Sequence, residues 1–169
     1  MTAFAASGNV VIQPLLSKKR VDILTQLAPV GMVTTSPHVL VVSSQLPASS
    51  VKELIDHAKA NPGSLNFASA GVGGLAHLAS ELFMRQAGLP GFEYTTWYGL
   101  FGPAGVPPAV IDKLGAALGK LGADKAFEAR LREQGVDLHI STPKVLAECT
   151  RKETAEWDKV IRDAGIHLN

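Results

Sequence analysis

The chain of 169 residues is 46% hydrophobic and 18% charged, which excludes disorder and leaves room for one domain with a real core. Sixteen basic against fifteen acidic residues give a formal charge of +1, and aromatic residues make up only 6%, so neither a basic footprint nor a stacking surface for nucleic acid is present. The single cysteine, Cys149, excludes an internal disulfide and a multi-cysteine metal cluster, and no run reaches the ~18 apolar residues of a membrane span.

The opening residues carry no positive region, and Val10-Val11-Ile12 is cut short by Gln13-Pro14. They do not make a secretory signal; as written, the chain has no export address and starts as though within a strand leading into a turn. Residues 30–34 predict a short strand, and Val39-Leu40-Val41-Val42 predicts a buried one. Ser50-Val51-Lys52-Glu53 is a capping box, in which the Ser50 hydroxyl takes the amide of Glu53 and the Glu53 carboxylate reaches back. Val51, Leu54, Ile55 and Ala58 give the helix that follows one apolar face, and Asn61-Pro62-Gly63 stops it. Residues 65–68 predict another strand. A glycine-rich turn and a helix follow, with Leu75, Leu78, Ala79 and Leu82 on one stripe and an end near Gly88.

Leu89-Pro90-Gly91 is a turn, and residues 92–101 are extended and rich in aromatics. Pro108 suits the first position of a helix whose inner face carries Val110 or Ile111, then Leu114, Leu118 and Leu121. Asp124 caps a further helix, and Gly135 stops it. Val136, Leu138 and Ile140 alternate with Asp137 and His139, the mark of a half-buried strand. Thr142-Pro143 opens a last helix with Leu146, Cys149, Trp157, Val160 and Ile161 inside. Strands alternating with helices place the fold in the α/β class.

One stretch is site-like. From Leu65 onward, strand, glycine-rich turn and helix follow one another, with Ser69, Ala70, Gly71, Val72, Gly73 and Gly74 in the turn. Glycines leave backbone amides bare, and the first helical turn adds unpaired N–H groups and the positive end of the dipole. The result is a seat for an anion, phosphate or carboxylate. A tight connection that binds nothing is the competing reading. Gly71-x-Gly73-x-x-Ala76 satisfies a relaxed dinucleotide fingerprint, with Glu93 about 20 residues on, but Glu93 precedes its strand where a ribose-binding acid ends one. His77, Glu81 and Arg85 stand at helical spacing beside the apolar stripe, where a solvated face is the simpler account; His77 can also lean toward an anion from the first turn. Cys149 faces the core and is expected to be inert, and no acid–base pair at meaningful spacing supports catalysis.

Several segments together resemble one family. They are the run from Ser7-Gly8-Asn9 through Leu15-Leu16; Val51-Lys52-Glu53-Leu54 with Ala58-Lys59-Ala60-Asn61-Pro62-Gly63; Phe67-Ala68-Ser69-Ala70-Gly71 with Gly73, His77-Leu78 and Glu81-Leu82-Phe83; and Gly88-Leu89-Pro90-Gly91-Phe92-Glu93 with Trp97-Tyr98-Gly99-Leu100-Phe101-Gly102-Pro103-Ala104-Gly105. The family is that of the Bordetella uptake gene receptors, the extracytoplasmic substrate-binding receptors of tripartite tricarboxylate transporters. The resemblance implies a periplasmic-binding-protein-like fold of two α/β lobes whose cleft closes on a small organic carboxylate. Amides of Ser69, Ala70, Gly71, Val72, Gly73 and Gly74, with His77 nearby, would hold one carboxylate, and Ser7 and Asn9 would face it from the other lobe. It further implies a periplasmic receptor that is not an enzyme, needs no cofactor or metal, and delivers its ligand to membrane transporter subunits.

Against the family's pattern, the signal peptide, first strand and first glycine-rich loop are missing before Met1, and a long stretch is missing at Gly88. Residues 1–48 and 89–169 are then expected to form the first lobe, mostly present, and residues 49–88 a remnant of the second. An unpaired edge would favour self-association, and a half-enclosed cleft would bind weakly or not at all.

Overall fold

The computed structural model describes residues 2–69, 74–86 and 95–165. Four strands make one sheet: β1 (Ala3–Ala6), β2 (Leu27–Pro37), β3 (Thr95–Pro103) and β4 (Asp137–Leu138). Their order is β1-β3-β2-β4, and every pairing is antiparallel. The strand expected over residues 30–34 is in fact eleven residues long and slips register twice against β3, after Pro29 and after Met32. These bulges change which way successive side chains point. Met32 joins the core on one face of the sheet, while Val30 and Val33 join the core on the other. Gly31 sits between them, and a Cβ there would stand only 2.5 Å from the Ser141 carbonyl oxygen.

Helices cover both faces. A π-helical turn (Gly8–Ile12) runs directly into α1 (Gln13–Leu16), and a 3-10 turn follows at Ile23–Thr25. The long α6 (Pro143–Ala164) lies across the same face. Val10, Val11, Ile12 and Leu16 pack there against Trp97, Phe101, Leu146, Trp157 and Ile161, and α3 (Leu75–Gln86) contributes the fully buried Leu78. The opposite face is closed by α4 (Pro108–Gly122) through Ile111, Leu114, Leu118 and Leu121; Val110 is exposed. Cβ atoms at the cramped Gly99 and Gly122 would meet Leu146 and Ile140 at 3.0 and 2.8 Å, so small residues there let the helices sit close to the sheet.

The helix ends follow local chemistry. Asp124 accepts from the amides of Ala126 and Phe127 at the head of α5 (Lys125–Glu133), and Thr142 accepts from Val145 at the head of α6. Gly135 and Gly165 end these helices at φ +71° and +63°, a left-handed conformation that glycine adopts without steric cost. In α2 (Val51–Ala60), Ser50 caps the Glu53 amide, while the Glu53 carboxylate takes the Ser49 backbone N–H and hydroxyl, each at 2.7 Å. The Ser50 half of the capping box forms as expected, and the Glu53 carboxylate reaches back as far as Ser49. The half-buried strand expected from Val136 reduces to β4, continued by the His139 N–H bond to Val33 and the Ser141 N–H bond to Met32.

Two expected strands are corrected. Residues 39–42 join no sheet among the described residues, and Val39 and Val41 are 79% and 81% exposed. Residues 65–68 are likewise irregular, with Leu65 and Phe67 exposed. Both runs have strand-forming composition, but extended chain becomes a strand only with a partner for its backbone, and neither has one here. In α2, only Ile55 is buried. Residues 38–68 thus lie largely outside both cores. Among the described residues, no helix is long and apolar enough to cross a membrane.

Candidate functional site

β1 ends at Ala6, and the chain turns at once into the π-helical segment, whose head is Ser7 at φ −51°, ψ −40°. The sequence reading of this stretch as a turn is replaced by a helix start. In the π pattern the Gln13 N–H bonds the Gly8 carbonyl, so the first N–H groups of the segment have no acceptor within it. Ser7 is wholly buried, and its Oγ is without a hydrogen-bond partner among the described residues. An orphaned buried hydroxyl costs about 1–3 kcal/mol, so its persistence calls for a reason.

A cavity of about 210 Å³ opens against Ala6 and Gly8, which flank Ser7. Asn9 and Gln13 line it one helical step further on, Gly74 and Leu75 bring the head of α3, and Thr96 closes it from β3. The two helix heads stand close: a Cβ at Gly8 would lie in ordinary contact, 3.7 Å from Leu75 Cβ. Among the described residues no formally charged side chain lines the cavity, so an anion entering it meets amide and hydroxyl donors. Such neutral donors hold carboxylates well where water is thinned out.

Of the residues expected at the site, Asn9 and Gly74 line this cavity; Ser7 does not, although its chain neighbours Ala6 and Gly8 do. Ser69 is partly buried but lies outside the lining. Ala70, Gly71, Val72 and Gly73 lie outside the described residues, as do the turn at residues 89–91, Phe92 and Glu93. His77 does not line the cavity; its ring stacks on Phe67 at 5.8 Å, and its Nε2 stands 4.0 Å from Glu81 Oε1. The Arg85 side chain also lies outside the described residues. Thr96 carried no motif in the sequence, and Gln13 lay within the resembling run from Ser7 to Leu16 without being singled out. Their place at the site follows only from the helix running on from Ser7 and from the register of β3.

Elsewhere, one buried polar cluster joins β3 to α6. Trp97 Nε1 donates to Glu153 Oε1 at 2.8 Å, and Cys149 Sγ approaches the same oxygen at 3.6 Å. Burial raises the Glu153 carboxyl above its ordinary range. Burial, with the Glu153 charge beside it, pushes the Cys149 thiol up to about 12, which fits an inert thiol. The dinucleotide reading loses its required context, since residues 65–68 form no strand to lead into the glycines. No group of three His, Cys, Asp or Glu able to hold a metal occurs among the described residues.

Comparison with known proteins gives a consistent picture. The family description "Tripartite tricarboxylate transporter family receptor" matches twice, over residues 2–93 and 85–166. A Pseudomonas sp. (strain P51) protein, "UPF0065 protein in tcbD-tcbE intergenic region", is 27% identical over an alignment of 208 residues that takes in 83% of this chain and 62% of the relative. The chain thus spans less than two-thirds of that relative. An alignment longer than the chain also leaves part of the relative facing no residue here. Three solved structures share the fold: "R. palustris Rpa4515 with adipate" (TM-score 0.81, 21% identity, 98% of this chain and 78% of that one), "Structure of periplasmic binding protein BugD" (0.77, 19%, 99% and 79%) and "MatC (Rpa3494) from Rhodopseudomonas palustris with bound malate" (0.75, 20%, 95% and 78%).

Proposed function

The chain belongs to the family of tripartite tricarboxylate transporter receptors, and from that premise we propose that it is a periplasmic solute-binding receptor. It captures a small carboxylate, without catalysis, in the cavity between the head of the π-helical segment and the head of α3. The observation that carries this reading is a cavity at the helix head lined by Asn9, Gln13, Gly74 and Thr96, with the unpartnered Ser7 hydroxyl buried between its lining neighbours Ala6 and Gly8 in the chain. A ligand oxygen there would meet the bare amides of the helix head, and one that reached Ser7 Oγ would complete its hydrogen bonding. Asn9, Gln13 and Gly74 supply further donors, and Ser69, Ala70, Gly71, Val72, Gly73 and His77 belong to the same side of the cleft. The adipate and malate of the two Rhodopseudomonas structures support a dicarboxylate as ligand class. Delivery to membrane transporter subunits follows from the family.

Residues 1–48 and 89–169 form the first lobe in this reading, and residues 49–88 are what remains of the second. Two matches overlapping at residues 85–93 support a junction there, as does the relative's unmatched stretch. The exposed residues 65–68 then belong to a second-lobe sheet this chain does not complete. A half-enclosed cleft keeps water at the ligand and weakens each bond, which places affinity at about 0.1–10 mM. Calorimetric titration with adipate, malate and citrate, against the corresponding amides, tests this. Selective binding of the acids in that range supports it. Absence of any heat refutes the receptor reading, and a sub-micromolar constant refutes the loss of enclosure.

A further inference from the structure

Thr96 brings a side-chain hydroxyl from β3 to the cavity, and that hydroxyl is already engaged. His38 Nε2 lies 2.7 Å from Thr96 Oγ1. The two residues sit where the β2–β3 ladder ends, one step beyond the Pro37–Thr95 pair and next to the Ser36–Thr96 pair. The first of these strands leaves the sheet here toward the exposed residues 38–68.

The chemistry of the pair depends on which partner donates. A threonine hydroxyl has one proton and two lone pairs. If His38 Nε2 is bare, Thr96 donates its proton to the ring and turns only lone pairs toward the cavity, which repels a carboxylate. If Nε2 carries hydrogen, the ring donates to Oγ1, and the Thr96 proton is released to point at a ligand oxygen. The geometry points to Thr96 as a direct carboxylate-binding residue of this cavity, with His38 as the positioning residue that sets the direction of its hydroxyl proton. Because no charged side chain among the described residues lines the cavity, a single reoriented donor is a large fraction of the attraction a carboxylate feels there. Binding therefore selects the His38 form that is protonated at Nε2, and bound ligand in turn favours that form.

This inference rests on carboxylate capture at the Ser7 cavity. Its test measures adipate affinity by NMR titration for the unaltered chain and for Ser7→Ala, Thr96→Val, Thr96→Ser and His38→Leu. A hydrogen bond to a charged group is worth enough that Thr96→Val should weaken binding about tenfold or more, with Thr96→Ser restoring it to within about threefold. His38→Leu should weaken binding by less than Thr96→Val, and the double variant should be no worse than Thr96→Val alone. Long-range proton–nitrogen correlation of the His38 ring supplies a readout that a merely structural role would leave still: adding adipate should shift Nε2 toward its protonated signal in the unaltered chain and not in Thr96→Val. If Ser7→Ala loses binding while Thr96→Val keeps it, or if the ring signal stays fixed, the Thr96–His38 assignment is wrong and the Ser7 site stands. If the unaltered chain binds no dicarboxylate, both fall.

Discussion

Replacing Ser7 by alanine separates function from stability. In the ligand-free protein the Ser7 hydroxyl is wholly buried and unpartnered, a state that costs about 1–3 kcal/mol. Alanine removes the orphan and leaves a void of roughly one oxygen atom, which takes back part of the gain. The net expectation is a ligand-free variant more stable by about 1 kcal/mol, or about 2–4 °C in melting midpoint for a chain of this size. Adipate should then act in opposite ways on the two proteins. At tenfold excess over its dissociation constant, a ligand confined to the folded state adds about 1.4 kcal/mol, so the unaltered protein should gain about 3–6 °C. Ser7→Ala should gain little. Differential scanning calorimetry with and without adipate measures all four midpoints. A ligand-free Ser7→Ala that melts several degrees lower would mean that the hydroxyl has an internal partner, and the reasoning would fail. An adipate shift that survives the substitution would refute the site.

Three further outcomes follow from the packing. Gly31→Ala forces a Cβ to within 2.5 Å of the Ser141 carbonyl and 3.1 Å of Leu118 Cδ1, so it should cost about 1–3 kcal/mol in urea unfolding; an unchanged midpoint would mean that β2 can move away from β4 and α4. Glu153→Gln keeps an acceptor for Trp97 Nε1 but removes a carboxylate whose proton affinity burial has raised. Ionising that group costs the folded state, so the penalty is present above the raised range and is relieved as pH falls through it. The variant should therefore be the more stable protein near pH 8, with the difference shrinking toward pH 4; denaturant midpoints at the two pH values check the sign. Val39→Lys with Val41→Lys alters two exposed side chains and should leave the melting midpoint within about 0.5 kcal/mol of stability, while reducing concentration-dependent association in light scattering.

What the sequence revealed was the chemistry that acts over a few residues. Ser50, Asp124 and Thr142 cap helices because a short polar side chain reaches an amide two or three positions away whatever surrounds it. Gly135 and Gly165 stop helices for an equally local reason. Gly74 was readable because a glycine-rich break before an apolar helix marks open amides, whereas Ser7 and Asn9 came from the family resemblance alone. Longer-range properties were hidden. The valines of residues 39–42 describe the partner a strand would need, and no amount of valine supplies that partner. Val10-Val11-Ile12 carries nothing in sequence that marks the π turn it adopts, which buries it with Trp97 and Trp157. Thr96 has no neighbours in sequence that mark it; the cavity reaches it through Ala6, whose register partner is Tyr98.

The order of the sheet carries a consequence for how the chain acquires its shape. β1 and β2 do not touch each other as neighbours; both lean on β3, so Ala3 must wait for Phe101 and Leu27 for Pro103. During synthesis the whole amino-terminal half leaves the ribosome before its central strand exists. Closure of such distant segments is slow, and apolar segments stay open to chaperones and to aggregation in the interval. A chain released before Pro103 would carry two strands and no hub to join them.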